Sequence, residues 1–383
     1  MEYLQKVINK EINSNILLGA SVGIWKDGNK IFREDFGFMD LDRKNDMRSD
    51  GIYRLYSSTK PITATAAMIL FERGIIDLYD SVSKYLDGFK SQNVYVDGKI
   101  VPANRPVTII DLLNMTSGLV YPGTDLSGID MKNVFENGIS AALSGNGLST
   151  VEFCNQIGSV PLAYQPGELW RYGTSADILG AVIEVASGKR FSNFLKDEIF
   201  APLDMLDTDF YVPENKRDRL VQMCNFVPSE NKLEEYKGNH LLILLGKEKP
   251  TFESGGAGLF STIEDYSHFA NMLLCGGVWN GKRILGKKTV EFMRSNQLTP
   301  KQMSGLWDTL NGYGYGCLMR NLYDIGLAKT NGSVGEFGWD GWAGTYTTID
   351  VKENMVIEMF ISRVGYDNES LQRKVRSIVY GNI

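Results

Sequence analysis

The sequence predicts an α+β fold in which helices flank an antiparallel sheet. Residues 20–24 and 30–36 have the pattern of two strands joined by a tight turn at Gly28, which is a strong hairpin signal. Near the other end of the chain, residues 344–350 and 355–362 form a second predicted strand pair. Both ends of the chain therefore favour antiparallel sheet.

Helices are predicted beside this sheet. Residues 1–13 and 370–380 mix charged and apolar residues at helical spacing, so each can pack an apolar face on the sheet. Helical periodicity and long loops predominate between the two ends. We therefore predict a sheet lobe made of residues 1–60 and 255–383 and a mainly helical lobe made of residues 61–254, with the active site in the cleft between them.

Three other helices have clear boundary signals. Thr108 begins one capping pattern and Ser261 begins another. Residues 175–187 carry an apolar stripe that includes Val185, and Gly188 is placed to end that helix in the left-handed conformation.

Composition excludes several classes of function. The chain has 383 residues and a net charge of −6, and no cluster of Lys and Arg is dense enough to follow a phosphate backbone. The N-terminal residues lack the apolar core of a secretory signal, and no apolar run approaches the ~20 residues of a membrane span. We expect a soluble, cytoplasmic protein without nucleic-acid or membrane partners.

The cysteines and histidines also limit the chemistry. The cysteines are far apart, form no Cys-x-x-Cys pair and have apolar neighbours, so we expect four buried thiols and no metal site. These residues are Cys154, Cys224, Cys275 and Cys317. Only His240 and His268 could serve a Ser-His-Asp triad, and neither has the setting of its base. A serine hydrolase with this sequence would use a different base.

Ser57 and Lys60 form a candidate catalytic pair. They stand three residues apart just before Pro61, a residue typical of the first turn of a helix, and an apolar run continues to Gly74. We expect Ser57 at the N-terminal end of this helix, where the dipole favours an alkoxide. Lys60 can take the hydroxyl proton only if burial lowers its pKa by several units.

The spacing of this pair is not specific by itself. The same pattern begins at Ser81 and at Ser229, but only Ser57 precedes a proline-started, uninterrupted apolar helix. The alternative interpretation is a helix-capping serine beside a solvated lysine.

Tyr172 is the second candidate catalytic residue. It lies in a loop just before the helix predicted at residues 175–187, from which it could project into the cleft. If Lys60 and other cations lowered its pKa, a phenolate could relay the serine proton to the leaving group. From the residues alone, an aromatic that closes the core remains the favoured alternative, because the chain has 18 tyrosines.

A glycine-rich segment at residues 335–345 leads into the C-terminal strand pair. Glycines at a strand edge permit close approach of a substrate to backbone N–H groups. We expect the N–H of Trp342 to complete an oxyanion hole with that of Ser57. The alternative is a bulge that steers the chain into the sheet, and the two are compatible.

The order of these motifs resembles that of the penicillin-recognising serine hydrolases, specifically the group of class C β-lactamases, family VIII esterases and DD-peptidases. Further similar segments lie at residues 106–119, 164–167 and 255–262, and the resemblance extends from residue 19 to residue 363. It implies a β-lactamase/transpeptidase-like fold, with an all-helical insertion lobe beside the sheet. That fold agrees with the one predicted from the patterns above.

The resemblance also implies roles for the three candidates. Ser57 would be the acylated nucleophile, Lys60 its proton acceptor, and Tyr172 the group that shuttles the proton and positions the water for deacylation. Whether Lys60 or Tyr172 is the base stays open, because the two titrations are coupled.

The chain departs from the family pattern at two places. Thr174 stands where class C β-lactamases have the Asn of Tyr-x-Asn, and Trp339, Asp340 and Gly341 replace Lys-Thr-Gly. The second change removes the cation expected to bind the carboxylate of a β-lactam or peptide, and Asp340 would repel that carboxylate if it faced the site. We expect these residues to contact the substrate.

These departures favour hydrolysis of a carboxylic ester with a short acyl chain, through an acyl-enzyme at Ser57. Family VIII esterases are similar in having a tryptophan in the third motif. The alternatives are a β-lactamase or D-amino-acid peptidase, and a penicillin-binding sensor without turnover. The expected partner is a small-molecule ester or amide, and this chemistry requires no cofactor.

Overall fold

The α+β class is confirmed by a computed structural model that describes residues 1–243, 246 and 248–383. Its main sheet has seven strands, and every recorded strand pair in it is antiparallel. In spatial order these strands are Tyr313–Gly316, Met319–Leu322, Phe337–Gly338, Tyr346–Asp350, Met355–Ile361, Gly19–Lys26 and Asn29–Gly37.

Both predicted hairpins are present in this sheet. The first extends beyond its predicted limits, because the strands Gly19–Lys26 and Asn29–Gly37 continue until Gly37 takes a positive φ of 69°. Strand Met355–Ile361 pairs with Tyr346–Asp350 on one side and with Gly19–Lys26 on the other. The two ends of the chain therefore form the centre of one sheet, which fixes where the C-terminal glycine-rich segment lies.

Helices cover the sheet on both faces. Leu4 and Ile8 of the first helix pack with Val375 of the last helix against strand residues such as Val22 and Ile357. The helix Ile263–Leu274 packs against the central strands and belongs to a separate, larger core. The α-helices are Glu2–Asn13, Lys60–Glu72, Ile109–Leu113, Leu126–Leu143, Thr150–Gly158, Ser175–Ser187, Phe191–Leu195, Ile263–Leu274, Lys287–Met293, Pro300–Met303, Ile325–Ala328 and Asn368–Tyr380.

The segment between the strand-forming ends is mainly helical. Helix Lys60–Glu72 is buried along almost its whole length and packs on helix Ser175–Ser187. The segment also contains the hairpin Asn93–Val96 with Lys99–Pro102. Short strands outside the main sheet are Tyr53–Arg54, Cys224–Val227, Lys232–Glu235, Phe260–Ser261, Val278–Trp279, Lys282–Arg283 and Arg363–Val364. The division into lobes at residues 60 and 255 stays a prediction.

Local signals located most helix ends, with some errors. Thr108 forms a capping box and Gly188 has a φ of 67° as predicted. The cap that Ser261 was expected to begin is instead provided by Thr262, whose hydroxyl accepts the N–H of Asp265. Val185, assigned to a buried stripe, is 41% exposed.

One prediction about the thiols was wrong. Cys154, Cys224 and Cys317 are buried, but Cys275 is exposed because it follows the last residue of helix Ile263–Leu274 at its C-terminal end. Within the described residues, no helix combines the length and the apolar composition that crossing a bilayer requires.

Glu358 is a buried acid in the central strand Met355–Ile361. It is fully buried, and within the described part of the chain neither carboxylate oxygen has a hydrogen-bond partner. Burial raises the pKa of Glu358 well above its usual value. In the unfolded chain, Glu358 releases its proton above a pKa of about 4.3, whereas the folded protein keeps that proton to higher pH. Glu358 therefore makes the stability of the fold decrease as pH rises from the unfolded pKa to the folded one.

We expect Glu358→Gln to become progressively more stable than the wild type as pH rises. The difference in free energy of unfolding should grow by up to about 1.4 kcal/mol per pH unit above about pH 5, because glutamine has no proton to release. Urea denaturation of both proteins from about pH 5 to pH 8 measures this difference. Glu2→Gln, on an exposed residue, is the control, and a pH-independent difference for Glu358→Gln would contradict the interpretation.

Candidate active site

Ser57 lies in a tight turn at the N-terminal end of the helix, which is where the sequence predicted it. The 3₁₀ turn Tyr56–Thr59 precedes helix Lys60–Glu72, and Pro61 occupies the first turn of that helix. Tyr56 has a φ of 44°, a left-handed conformation that is unfavourable for a buried aromatic residue. The strained residue directly precedes Ser57. Ser57 itself is 8% exposed.

The amine of Lys60 is directed at Ser57. The Lys60 side chain is fully buried, and its Nζ donates to Ser57 Oγ at 3.2 Å, to the Tyr121 hydroxyl at 3.1 Å and to the carbonyl of Gly256 at 2.8 Å. Burial lowers the pKa of Lys60 to about 7, and the charge of Asp177 partly opposes that shift. A large fraction of Lys60 is therefore neutral at physiological pH.

Tyr172 meets the same serine. Its hydroxyl hydrogen-bonds with Ser57 and accepts the indole N–H of Trp339 at 3.0 Å, while the Lys60 amine lies 4.5 Å from the centre of its ring. The expectation that cations lower its pKa is not met, because burial dominates and raises the pKa of Tyr172. This tyrosine is a neutral phenol at physiological pH.

Tyr121 is a site residue that the sequence analysis missed. Its hydroxyl accepts from Lys60, its ring centre is 5.7 Å from that of Tyr172, and burial raises its pKa well above the usual value. The recognised segment at residues 106–119 ends two positions before Tyr121, and no spacing rule links a loop tyrosine to Lys60. The closeness of Tyr121 to residues 106–119 in the sequence is the signal that could have identified it.

Asp177 binds the backbone segment that contacts Lys60. It is 2% exposed and accepts hydrogen bonds from Ser254 Oγ at 2.5 Å and from the Gly256 N–H at 3.0 Å. Gly256 in turn offers its carbonyl to Lys60. A Cβ at Gly256 would come within 2.8 Å of the Asp177 carboxylate and 2.9 Å of the Tyr121 hydroxyl, so a glycine permits this close arrangement.

The glycine-rich C-terminal segment lies directly against the serine turn. A Cβ at Gly341 would come within 2.2 Å of the Leu55 carbonyl oxygen, and Thr345 donates its hydroxyl to that carbonyl at 3.0 Å. The N–H of Gly344 closes a turn onto the Gly341 carbonyl at 2.8 Å, which places Trp342 at the second position of the turn. In the described part of the chain, neither the Trp342 N–H nor the Ser57 N–H has an acceptor.

Two of the other predicted substrate contacts differ from expectation. Thr174 is fully buried at the N-terminal boundary of helix Ser175–Ser187 and lines neither cavity at Ser57, because its side chain is enclosed by the protein. Asp340 does line a cavity, but Arg320 lies 2.8 Å from its carboxylate, so its charge is largely compensated. Trp339 and Gly341 line the same cavity as Asp340.

Two cavities meet at Ser57. One, of about 460 Å³, runs beneath Asp340 and Arg320 towards the C-terminal helix, and we call it the polar cavity. The other, of about 470 Å³, is walled mainly by rings and aliphatic side chains, and we call it the aromatic cavity. The aromatic cavity is lined by Tyr56, Ser57, Tyr121, Pro122, Lys132, Phe135, Glu136, Ile139, Tyr172, Asn239, His240, Leu241, Trp307 and Trp342.

Both cavities share the reactive residues and two tryptophans. Ser57, Tyr172, Trp307 and Trp342 line both, and the two indoles are 46% and 41% exposed respectively. His240 stacks on Trp342 with a ring separation of 4.0 Å, and burial lowers the pKa of His240 to about 4. His240 is therefore a neutral wall residue rather than a base on Ser57.

Comparison with known proteins agrees with this architecture. A structure described as EstCE1, a hydrolase with promiscuous acyltransferase activity, superposes with a TM-score of 0.84 at 24% identity, covering 99% of this chain and 98% of that chain. Among characterised sequences, Esterase EstB of Burkholderia gladioli is 26% identical over 98% of this chain and 94% of its own length. An uncharacterized protein of Mycobacterium tuberculosis is 26% identical over 92% of this chain and 88% of its own.

The family assignment comes from a match over almost the whole chain. The family model described as Beta-lactamase matches residues 4–379. That span includes the serine turn, the tyrosines and the glycine-rich C-terminal segment. The chain therefore belongs to the Beta-lactamase family and is an enzyme of the serine hydrolase class.

Proposed function

We propose that the protein hydrolyses a carboxylic ester through an acyl-enzyme formed at Ser57. The observation that carries this proposal is the contact of a fully buried amine, with its pKa lowered to about 7, with the Ser57 hydroxyl. A neutral amine has one lone pair and two hydrogens. The ammonium form donates to Ser57, Tyr121 and Gly256, and loss of the proton directed at Ser57 leaves the lone pair facing that hydroxyl.

Acylation follows from this arrangement. Lys60 takes the hydroxyl proton as Ser57 Oγ forms a bond to the ester carbonyl carbon. The resulting oxyanion is held by the N–H groups of Ser57 and Trp342, which have no protein acceptor among the described residues. When the intermediate collapses, the bond to the alcohol oxygen breaks, Tyr172 gives that oxygen a proton, and Lys60 returns one to Tyr172.

Deacylation reverses the same proton path with water. The water loses a proton towards Tyr172 and Lys60 while its oxygen attacks the acyl carbon, and Ser57 recovers its proton as the carboxylic acid leaves. The raised pKa of Tyr172 makes it a neutral relay, so Lys60 is the base of the pair.

An ester is favoured over an anionic β-lactam or peptide by the charges beside Ser57. Arg320 forms an ion pair with Asp340 and donates to the Thr347 carbonyl at 3.3 Å. The guanidinium charge is therefore compensated within the protein. Next to Ser57, where Asp340 and Arg320 compensate each other, the cavity suits an uncharged group, while Lys329 and Arg373 line it as exposed residues. The name of the relative EstB supports the same choice.

The nucleophile is tested by Ser57→Ala. We expect turnover of p-nitrophenyl acetate to fall at least about 1,000-fold, because no other group can form the acyl intermediate. Ser229→Ala is the matched control, since Ser229 has the same spacing to a lysine but lies at the surface. Retained turnover in Ser57→Ala would refute the proposal, and an acyl adduct on Ser57 in the mass spectrum of the wild type would support it.

The pH profile tests the base. The rate constant kcat/KM should rise with pH through an apparent pKa near 7, because only neutral Lys60 accepts a proton. Asp177→Asn removes the charge that raises the pKa of Lys60, so this rising limb should move to lower pH. Asp265→Asn, which removes a buried carboxylate elsewhere, should leave the limb in place. If the rising limb of the pH profile stayed in place in Asp177→Asn, this would contradict the role of Lys60 as the base.

Gly341→Ala tests the oxyanion hole. The added methyl group would meet the Leu55 carbonyl and move the turn that carries Trp342. Loss of one oxyanion donor costs about 100-fold or more in kcat, so we expect a loss of about 10- to 100-fold for a displaced one. Gly326→Ala, at an exposed helix position with room for a methyl group, is the control. Equal kcat in the two variants would argue against a donor at Trp342.

A further inference from the structure

The aromatic cavity is larger and less polar than a short acyl chain requires. Its volume of about 470 Å³ lies within the range of sites that enclose a small organic ligand. Phe135 and Ile139 of helix Leu126–Leu143 form one side, and Trp342 with the stacked His240 forms another. An acetyl group would leave most of these surfaces in contact with water.

The charged residues of this cavity do not disturb its apolar interior. Lys132 and Glu136 are both exposed and lie 3.7 Å from each other, so they pair at the mouth. His240 is uncharged at physiological pH because burial lowers its pKa to about 4. Apart from Ser57 and Asn239, the remaining walls are rings and aliphatic chains, whose edges and faces suit another ring.

The hydrogen bond to the Tyr172 hydroxyl indicates which half of an ester each cavity would hold. The Tyr172 hydroxyl, which gives the departing alcohol its proton, is bound by the indole N–H of Trp339. Trp339 lines the polar cavity and is absent from the walls of the aromatic one. Tyr172 itself lines both cavities, so its bond to Trp339 favours the polar side for the alcohol oxygen and leaves the aromatic side for the acyl group attached to Ser57.

We propose that the aromatic cavity is the acyl-binding site and that it selects esters of arylalkanoic acids, such as phenylacetyl esters, over acetyl esters. The proposal rests on the acyl-enzyme chemistry proposed for Ser57. In the reaction the phenylacetyl carbonyl becomes bonded to Ser57 Oγ, the alcohol leaves through the polar cavity, and water then releases phenylacetic acid. The ring would pack between Phe135 and Trp342 in this intermediate.

The test compares two acyl groups on the same leaving group. The wild type should hydrolyse p-nitrophenyl phenylacetate with a kcat/KM about tenfold or more above that for p-nitrophenyl acetate, as expected when an apolar pocket is filled. Ile139→Phe and Ile139→Trp place progressively more volume in the aromatic cavity, since Ile139 is a half-buried wall residue. They should reduce this preference in that order, because added volume excludes a phenyl ring more than the methyl group of acetate.

A matched variant fills the other cavity. Thr309 is an exposed residue that lines only the polar cavity, so Thr309→Trp should leave the preference for phenylacetate intact. It should instead lower turnover of 1-naphthyl acetate relative to p-nitrophenyl acetate, because the larger alcohol leaves on that side. The opposite pattern, with Thr309→Trp removing the acyl preference and the Ile139 variants removing the alcohol preference, would overturn the assignment.

The outcomes separate this inference from the proposed function. Turnover of p-nitrophenyl acetate that depends on Ser57, together with no preference for phenylacetate and no effect of the Ile139 variants, would refute the acyl site alone. Turnover that persists in Ser57→Ala would refute the acyl-enzyme itself. An unchanged midpoint of thermal denaturation shows that the Ile139 variants fold, so loss of structure cannot mimic the expected result.

Discussion

The burial of one amine organises the site. Placing a lysine in a protein interior disfavours its charged form, and here that effect brings the pKa of Lys60 to about 7. The surroundings limit this shift, since the amine has three hydrogen-bond partners and the Asp177 carboxylate acts on it from behind. A more apolar surrounding would lower the pKa of Lys60 further and weaken it as a base, whereas an adjacent ion pair would keep it charged. The structure holds the amine between these limits.

The second constraint is the contact between the two ends of the chain. Strand pairing brings the C-terminal segment beside the N-terminal hairpin, and Gly341 lets that segment lie against the Leu55 carbonyl just before the serine turn. Thr345 links the two segments by hydrogen bonds to Leu55 and Ser58. The position of the Trp342 N–H relative to Ser57 is therefore set by the close packing of two backbone segments and by the hydrogen bonds of Thr345.

Sequence predicts the parts of this site whose residues are close together in the chain, and it misses those that only folding brings together. Ser57 and Lys60 are three residues apart in adjoining turns, so local geometry was enough to pair them. The capping box of Thr108 and the left-handed Gly188 are local in the same sense. Tyr121 reaches Lys60 from a loop, and Asp177 acts on it from the first turn of helix Ser175–Ser187. Both placements depend on the packing of the whole helical region, and no spacing pattern encodes them. Thr174 was misplaced for a related reason, because its burial depends on what encloses the start of its helix.

Burial acts on the tyrosine and the lysine in opposite senses, and this difference divides their roles. It raises the pKa of Tyr172 and lowers that of Lys60, so at physiological pH both can be neutral in contact with the same hydroxyl. A neutral phenol can donate a proton to a departing oxygen, and a neutral amine can accept one from an attacking oxygen. A phenolate would instead need a nearby cation, and a charged Lys60 could no longer act as a base. Only the pair of neutral groups moves a proton in both halves of an ester hydrolysis without leaving a net charge buried between the two cavities.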